Sequence, residues 1–378
     1  MKERFAIILA VCLMLCLCSC ARKTSSPTEN PNNAETNTTQ STTTNTRTED
    51  TTLVAVSVPT VTENTTHDDG TVLFQYTYQN MALVLNKPQV ADKIILDFLN
   101  RVDSTKEAAE ATASMAKSAY NGNNNWTPYL YHVTYSPTRI DQKVLSLFGN
   151  NVVSSGAGHP ERTCVSASYD LLTGDVLTLA SIMTKDATMQ QFCDLVLTGL
   201  AEMAEGDYLY DNYKKIVTNR FFDSDPAHDE IWYFTQTGLC FYFAPYEIAP
   251  YSSGVISVEI PYEKLKNLIH ADYLPQERGT SSGKPTVSPF ENVNLNSFSH
   301  IAEIVANKDG KMYMIHTDGF IQDIRILLSD AASSYTVFAA YNLTPGNGIM
   351  VQADDALLQN MKLTYKTGKE IVSVPLIG

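Results

Sequence analysis

The residues best suited to chemistry lie in two segments that are far apart in the sequence. His159 occurs in the run Gly156–Pro160, whose glycines let a ligand approach the backbone closely. Tyr246, Glu247 and Tyr251 occur together in a short segment that prolines interrupt. A histidine beside a carboxylate such as Glu247 could act on cell-wall glycan or peptide bonds, whereas the tyrosine rings could form a rim for a sugar or a protein.

The same residues also have purely structural explanations, which are the more common ones. A lone histidine in a tight turn usually bonds a local carbonyl group, and a buried tyrosine or glutamate needs a hydrogen-bond partner in any fold. The sequence therefore indicates His159, Tyr246, Glu247 and Tyr251 as candidate binding residues, with no catalytic assignment.

An acidic segment is the second candidate site. Its charged members are Asp223, Asp225, His228, Asp229 and Glu230. Such oxygen ligands could hold a hard cation such as calcium, but their spacing matches no EF-hand or other fixed pattern. We expect a solvated loop that could contact a basic partner, with Asp223 and Asp225 as binding candidates, and we predict no metal site.

Four aromatic residues, Trp126, Tyr129, Tyr131 and Tyr135, follow a long predicted helix. They could stack on glycan rings or anchor a protein, but the three tyrosines share one face of a strand, as a core also requires. The sequence contains no GxSxG or HExxH motif and no phosphate-binding glycine loop. We therefore predict a protein that is not an enzyme and that uses no cofactor.

The first twenty residues indicate where the protein works. Lys2 and Arg4 precede the apolar run Phe5–Leu17, which is the order of a secretory signal peptide and too short for a permanent membrane helix. The residues Leu17–Cys20 resemble the lipobox of bacterial lipoproteins, which implies cleavage before Cys20 and lipid attachment to it. We expect a lipid anchor in the bilayer on the extracellular face of the cytoplasmic membrane; an ordinary secreted protein or an uncleaved anchor are the alternatives.

The net charge limits the class of macromolecule that the chain could bind. The net charge is −14, and removal of a leader carrying about +1 makes the mature chain more acidic still. This charge argues against nucleic acid as a partner and is compatible with a cationic protein.

Three cysteines remain beyond Cys20, namely Cys164, Cys193 and Cys240, which allows either one disulfide with one free thiol or three buried thiols.

The chain divides into six predicted segments. They are a signal peptide (1–19), a Ser/Thr/Asn-rich disordered tether (20–51), an N-terminal α+β module (52–140), a second α+β module (141–275), a linker (276–289) and a C-terminal β-rich domain (290–378). The predicted fold class is α+β, with mixed antiparallel sheets, a long helix, a second amphipathic helix and a small, mostly β C-terminal domain.

Periodicity predicts the main elements. Strands are predicted within Leu53–Thr62 and Val72–Tyr78, and helical spacing runs from Pro88 to Tyr120. An amphipathic helix is predicted over Thr188–Ala204. A hairpin is predicted over residues 231–243, across Gln236-Thr237-Gly238.

Several of these segments resemble a family of extracellular domains. The segments are Phe241–Gly254, Val258–Tyr262, Asp170–Leu179 and the loop Gly156–Pro160, with the helix Leu85–Tyr120 as companion. They are similar to the extracellular domain of RsiV-type anti-sigma factors and to the non-catalytic N-terminal region of PdaC-type peptidoglycan deacetylases. The resemblance spans about residues 53–275.

The resemblance implies a module that senses or binds a ligand in the cell envelope, and in the anti-sigma branch that ligand is lysozyme. We expect the chain to differ from both relatives, with neither a cytoplasmic segment before its hydrophobic run nor a deacetylase domain with Asp and His metal ligands. We expect a non-enzymatic binding module for lysozyme or peptidoglycan. A cell-wall hydrolase with an unrecognised active site is the alternative. A solute-binding lipoprotein is a third possibility, but this chain does not show the repeated βα pattern of that class.

Overall fold

The fold is known from a computed structural model. It describes residues 10–15, 54–58, 60–85, 87–122, 125–156, 158–203, 208–223, 231–275, 285–290, 311–317, 321–329, 334–343, 347–353, 358–367 and 370–376. Cys20 and the predicted tether lie outside the described residues, as do Asp225 and the rest of the acidic segment after Asp223.

A five-stranded sheet and two helices form the first layer pair. The strands are β3 (Thr60–Thr66), β4 (Val72–Gln79), β6 (Tyr129–Ile140), β7 (Val144–Ser154) and β8 (Glu161–Asp170), in that spatial order. Strands β4 and β6 are parallel, and the other neighbours are antiparallel. Helices α1 (Pro88–Asp103) and α2 (Lys106–Ala119) bury an apolar stripe against this sheet, including Ile94 and Phe98, which are fully buried.

A second core lies on the other side of β7 and β8. Its elements are α3 (Leu179–Ile182), α4 (Met189–Met203), α5 (Tyr213–Phe222), β9 (Trp232–Phe234), β10 (Gly238–Phe243), β11 (Ile256–Pro261) and α6 (Tyr262–Leu265). Strand β10 is the centre of the three-stranded sheet and is buried along its whole length, which explains its unbroken run of apolar residues.

Buried polar groups join the two cores. Ser166 Oγ donates a hydrogen bond to the carbonyl oxygen of Trp232 over 2.8 Å, and the Phe234 N–H donates to Ser146 Oγ over 3.0 Å. Arg139, 2 % exposed, pairs with Asp141 at 2.6 Å and donates to the hydroxyl of Tyr262 at 2.7 Å. These bonds satisfy groups that would otherwise be buried unpaired, so they fix the packing of the three-stranded sheet on the five-stranded sheet.

Two further sheets contain the strands of the C-terminal region. The C-terminal strands are β12 (Pro285–Phe290), β13 (Lys311–Thr317), β14 (Ile321–Ser329), β15 (Ser334–Leu343), β16 (Asn347–Ala353), β17 (Met361–Thr367) and β18 (Glu370–Pro375). Strands β1 (Ala10–Leu15), β2 (Ala55–Ser57) and β5 (Ala82–Val84) come from the N-terminal part of the chain. The six-stranded sheet has the order β18-β17-β14-β15-β2-β5, and the four-stranded sheet has the order β1-β16-β13-β12.

The predicted α+β fold class is confirmed, with several antiparallel sheets and a β-rich C-terminal region. The predicted long helix is bent, because α1 ends at Asp103 and α2 begins at Lys106. Helix α4 lies within the predicted amphipathic helix, and β9 and β10 form the predicted hairpin. Helix α5 was not predicted.

Several pairings cross the predicted segment boundaries. Strand β6, which ends at residue 140, pairs along its length with β7, so the predicted boundary at 140 runs through one sheet. Residues 285–289, predicted as part of a linker, lie in β12. The apolar leader contributes β1, which pairs with β16, and cleavage before Cys20 would remove that strand. Among the described residues, no helix is long and apolar enough to cross a membrane.

Candidate functional site

Three loops meet at one end of the five-stranded sheet. Because β4 and β6 are parallel, the residues that enter them, Asp69–Thr71 and 125–128, lie at the same end of the sheet. Strand β7 is antiparallel to β6, so it finishes at this end, where Ser154 pairs with Leu130. The loop 155–160 that joins β7 to β8 is therefore beside the same two segments.

The loop between β10 and β11 joins this end of the sheet through Tyr251. The Tyr251 hydroxyl donates a hydrogen bond to the carbonyl oxygen of Pro160 over 2.9 Å. The ring of His159 stacks on the ring of Tyr251, with centroids 4.9 Å apart and planes at 22°. The ring of Tyr246 lies 5.3 Å from that of Tyr251. The structure thus brings His159, Tyr246 and Tyr251 into one row of rings, in which His159 and Tyr246 are exposed to solvent.

Tyr246 occupies a backbone conformation that normally belongs to glycine. The N–H of Glu247 donates to the carbonyl oxygen of Ala244 over 3.1 Å, which closes a turn with Pro245 and Tyr246 at its centre. Proline suits the first central position of a type II turn, and the second central position requires a positive φ. Tyr246 has a φ of 71°, and its side chain is 61 % exposed. A non-glycine residue in this region costs about 1–3 kcal/mol, and such residues concentrate at functional sites.

Glu247 is held by contacts on both of its carboxylate oxygens. Oε1 lies 2.9 Å from Nε of Arg220 on α5, and Oε2 accepts a hydrogen bond from the N–H of Ala244 over 2.9 Å. Both members of the ion pair are less than a quarter exposed. Glu247 therefore fixes the turn that presents Tyr246 and ties that turn to α5. We call His159, Tyr246, Glu247, Tyr251 and Arg220 the binding corner.

A second polar and aromatic group lies at the entry to β4 and β6. The Tyr120 hydroxyl donates to Asp69 Oδ2 over 2.7 Å, and the Thr71 N–H donates to Asp69 Oδ1 over 2.9 Å. These hydrogen bonds, with that of Tyr120 the strongest, hold the pKa of Asp69 well below its usual range. His67 lies beside the same carboxylate, its Nδ1 3.2 Å from Oδ2. Asp69 is thus an ionised, solvent-accessible hydrogen-bond acceptor at neutral pH.

Aromatic rings continue from Tyr120 towards the loop 155–160. The Tyr120 ring meets the edge of Trp126 at 5.4 Å, and Trp126 stacks on Tyr129 at 5.2 Å with planes at 19°. The Trp126 indole N–H donates to the carbonyl oxygen of Leu73 over 3.3 Å, which fixes the ring. A Cβ atom at Gly156 would stand 3.0 Å from the Tyr129 ring, so glycine lets the loop close on that ring.

The other predicted site residues are found in different settings. Asp223 ends α5, three residues after Arg220, and is exposed, whereas Asp225 lies outside the described residues. Tyr131 and Tyr135 are buried in the first core, as the structural explanation of these tyrosines requires. Cys164, Cys193 and Cys240 are all free. Burial raises the pKa of Cys164 to about 12, so its thiol is protonated and unreactive at neutral pH.

Sequence reasoning missed Asp69, Tyr120 and Arg220. Asp69 stands in the turn His67-Asp68-Asp69-Gly70, and Tyr120 stands at a helix end, where neither residue type is unusual. Only the parallel pairing of β4 and β6 brings the two together. Among the described residues, no group of three or more His, Cys, Asp or Glu side chains could hold a metal ion.

Comparisons with known proteins find similarity to a family whose function is undetermined. No curated protein matches the chain. A solved structure of a DUF3298 family member from Bacteroides fragilis NCTC 9343 matches at 15 % identity with a TM-score of 0.44, covering 59 % of this chain and 96 % of that one. A second DUF3298 structure, from Pseudomonas aeruginosa PAO1, matches at 16 % identity with a TM-score of 0.37, covering 58 % of this chain and 98 % of that one.

The sequence match to the same family falls on the second core. It runs from the first turn of α3 to the start of α6 and includes Arg220, Tyr246, Glu247 and Tyr251, but not His159. Residues 180–263 of this chain are accordingly similar to the family described as "Protein of unknown function (DUF3298)".

Proposed function

We propose that the protein is a lipid-anchored module on the outer face of the bacterial cytoplasmic membrane that binds or senses a ligand of the cell envelope without turning it over. The ligand is peptidoglycan or a basic protein such as lysozyme. The observation that carries the proposal is the binding corner, where His159, Tyr251 and an exposed Tyr246 in a glycine-like conformation form one row of rings.

The strained turn at Tyr246 supports a binding role. The positive φ of Tyr246 costs conformational energy. Its ring adds nothing to core packing in return, because it is 61 % exposed. Exposed tyrosine rings supply rigid contact area at low entropic cost, which suits a recognition surface. The predicted anchor at Cys20 and the resemblance to RsiV-type and PdaC-type extracellular regions support the proposed location of this surface at the cell envelope.

The contacts of Glu247 favour binding over hydrolysis. A general acid or base needs a carboxylate that can reach the proton it transfers. Both oxygens of Glu247 are already engaged, one by Arg220 and one by a backbone N–H. Glu247 is therefore not arranged as a free proton-transfer partner.

Calorimetric titration tests the proposal directly. The mature protein lipidated at Cys20, purified in detergent, is titrated with a basic lysozyme and with soluble peptidoglycan fragments at low and moderate salt. We expect saturable binding of at least one ligand at moderate salt, where charge attraction alone is screened. We expect Tyr246→Ala to weaken it, and Leu96→Ala to leave it unchanged, since Leu96 is 60 % exposed on α1 outside the corner. Release of fragments from peptidoglycan by the protein would contradict the absence of turnover.

A further inference from the structure

The aromatic rings of the binding corner are one half of a longer row. The other half consists of Tyr120, Trp126 and Tyr129, which follow one another at centroid distances of 5.4 and 5.2 Å. The two halves meet at the loop 155–160, because Gly156 lies against the Tyr129 ring and His159 lies on Tyr251. We call the six rings the aromatic track; they are Tyr120, Trp126, Tyr129, His159, Tyr251 and Tyr246.

We infer that the aromatic track binds a linear glycan strand of pyranose sugars, which lies across the end of the five-stranded sheet and contacts both halves. This inference rests on the proposed function, and it names the ligand class and the full extent of the surface.

The chemistry of the track suits sugars. A pyranose ring has an apolar C–H face that packs on aromatic rings and a rim of hydroxyl groups that need acceptors and donors. The track supplies rings that are half-buried at Tyr120, Trp126 and Tyr129 and so are fixed in place. Beside them stands the ionised Asp69 carboxylate, 46 % exposed, as an acceptor for hydroxyl groups.

The shape of the track suits an extended ligand. Its rings follow one another along the loops that enter β4 and β6 and join β7 to β8, and then pass to the loop between β10 and β11. A disaccharide can occupy only one half of such a row. A longer strand reaches both halves, so its affinity includes contacts at Trp126 and at Tyr246 together.

The charge of the track also favours a neutral sugar backbone over a basic protein. The Glu247 carboxylate is paired with Arg220 behind the corner, and Asp69 is the carboxylate that stands beside the rings at the other end. A dedicated site for a basic partner carries an excess of carboxylates.

The test compares ligand length with the position of the variant. A disaccharide and a hexasaccharide of β-1,4-linked N-acetylglucosamine are titrated by calorimetry into the mature lipidated protein and into its variants Trp126→Ala, Trp126→Phe, Tyr246→Ala and Leu96→Ala. We expect the hexasaccharide to bind at least about tenfold more tightly than the disaccharide. Trp126→Ala removes that gain, Trp126→Phe retains most of it because a ring remains, and Leu96→Ala changes nothing.

The outcomes separate this inference from the proposed function. If Tyr246→Ala lowers the affinity but neither ligand length nor the Trp126 variants change it, the inference about the aromatic track is wrong and the ligand binds at the corner alone. If lysozyme binds and neither oligosaccharide does, the inferred glycan ligand is wrong, whereas the proposed binding function is retained. The Trp126 variants are compared only after thermal unfolding shows that they are folded. If Trp126→Ala is not folded, Trp126→Phe keeps the test decisive.

Discussion

Tyr251 and Pro160 are joined by one hydrogen bond across 91 positions of sequence, from the tyrosine hydroxyl to the proline carbonyl oxygen. The bond fastens the loop between β10 and β11 to the loop between β7 and β8. It therefore connects the part of the chain that matches a family to the part that carries His159.

Removal of that hydroxyl is expected to loosen the corner without unfolding the protein. Tyr251→Phe keeps the ring that stacks on His159 and loses one hydrogen bond, which is worth about 0.5–1.5 kcal/mol. Urea unfolding measures the loss, and amide hydrogen exchange in the loop 155–160 should quicken. Tyr208→Phe is the matched control, since its hydroxyl makes an exposed bond to Met203 elsewhere. Unchanged exchange in that loop would count against the fastening role.

Relief of the strained turn should separate stability from binding. At a φ of 71°, glycine avoids the Cβ clash that any other residue suffers, so Tyr246→Gly is expected to be more stable than Tyr246→Ala by about 1 kcal/mol. Both variants lack the ring and should bind envelope ligands equally poorly. Thermal unfolding and calorimetric titration of the two variants check this pair of expectations. A Tyr246→Gly variant that binds as the parent does would remove Tyr246 from the site.

The hydrogen bond from Tyr120 sets the titration of Asp69. Because the folded pKa of Asp69 lies below its ordinary value of 3.8, ionised Asp69 stabilises the fold above that value. This stabilisation is lost as the pH falls through the lower folded pKa. Tyr120→Phe is expected to raise the pKa of Asp69 towards 3.8, which NMR titration of its carboxyl carbon measures. Tyr78→Phe removes a comparable bond to Glu63 and should leave Asp69 unchanged.

Replacement of Arg139 is expected to lower the free energy of unfolding far more than replacement of Arg101. It is 2 % exposed and binds Asp141, the Tyr262 hydroxyl and the carbonyl oxygen of Tyr273. Arg139→Met leaves a buried carboxylate without its cation, which costs about 3–5 kcal/mol. Arg101→Met, which breaks a more exposed pair with Asp97, should cost about 1 kcal/mol or less. Chemical unfolding of both variants checks the ranking, and equal losses would contradict it.

The sequence predicted those parts of the fold that depend on local pattern. Apolar spacing located α1, α2 and α4, and the glycine turn at 236–238 located the hairpin of β9 and β10. Helix α5 was missed because its apolar stripe is weak; only Val217 and Phe221 are buried in it. Strand pairing was the least predictable feature, since β2 and β3 are separated by only two residues but join different sheets.

The residues of the candidate site were likewise predicted only in part. His159, Tyr246, Glu247 and Tyr251 were found because glycine and proline mark loops, and loops carry function. Asp69 and Tyr120 were not found, because their meeting depends on β4 lying parallel to β6. Arg220 was not found either, because its partner Glu247 lies beyond a hairpin and no local spacing relates the two.

The place of β2 also constrains the order in which the protein can fold. Phe338 pairs with Ser57, and Ala340 pairs with Ala55, so the ends of this contact are separated by most of the chain. A contact of such high sequence separation forms late, because the loop it closes is long. If the chain is secreted as proposed, the amino-terminal part of the mature chain crosses the membrane first. Strand β2 would then reach the outer side before residues 334–343, and the six-stranded sheet would close only after those residues follow.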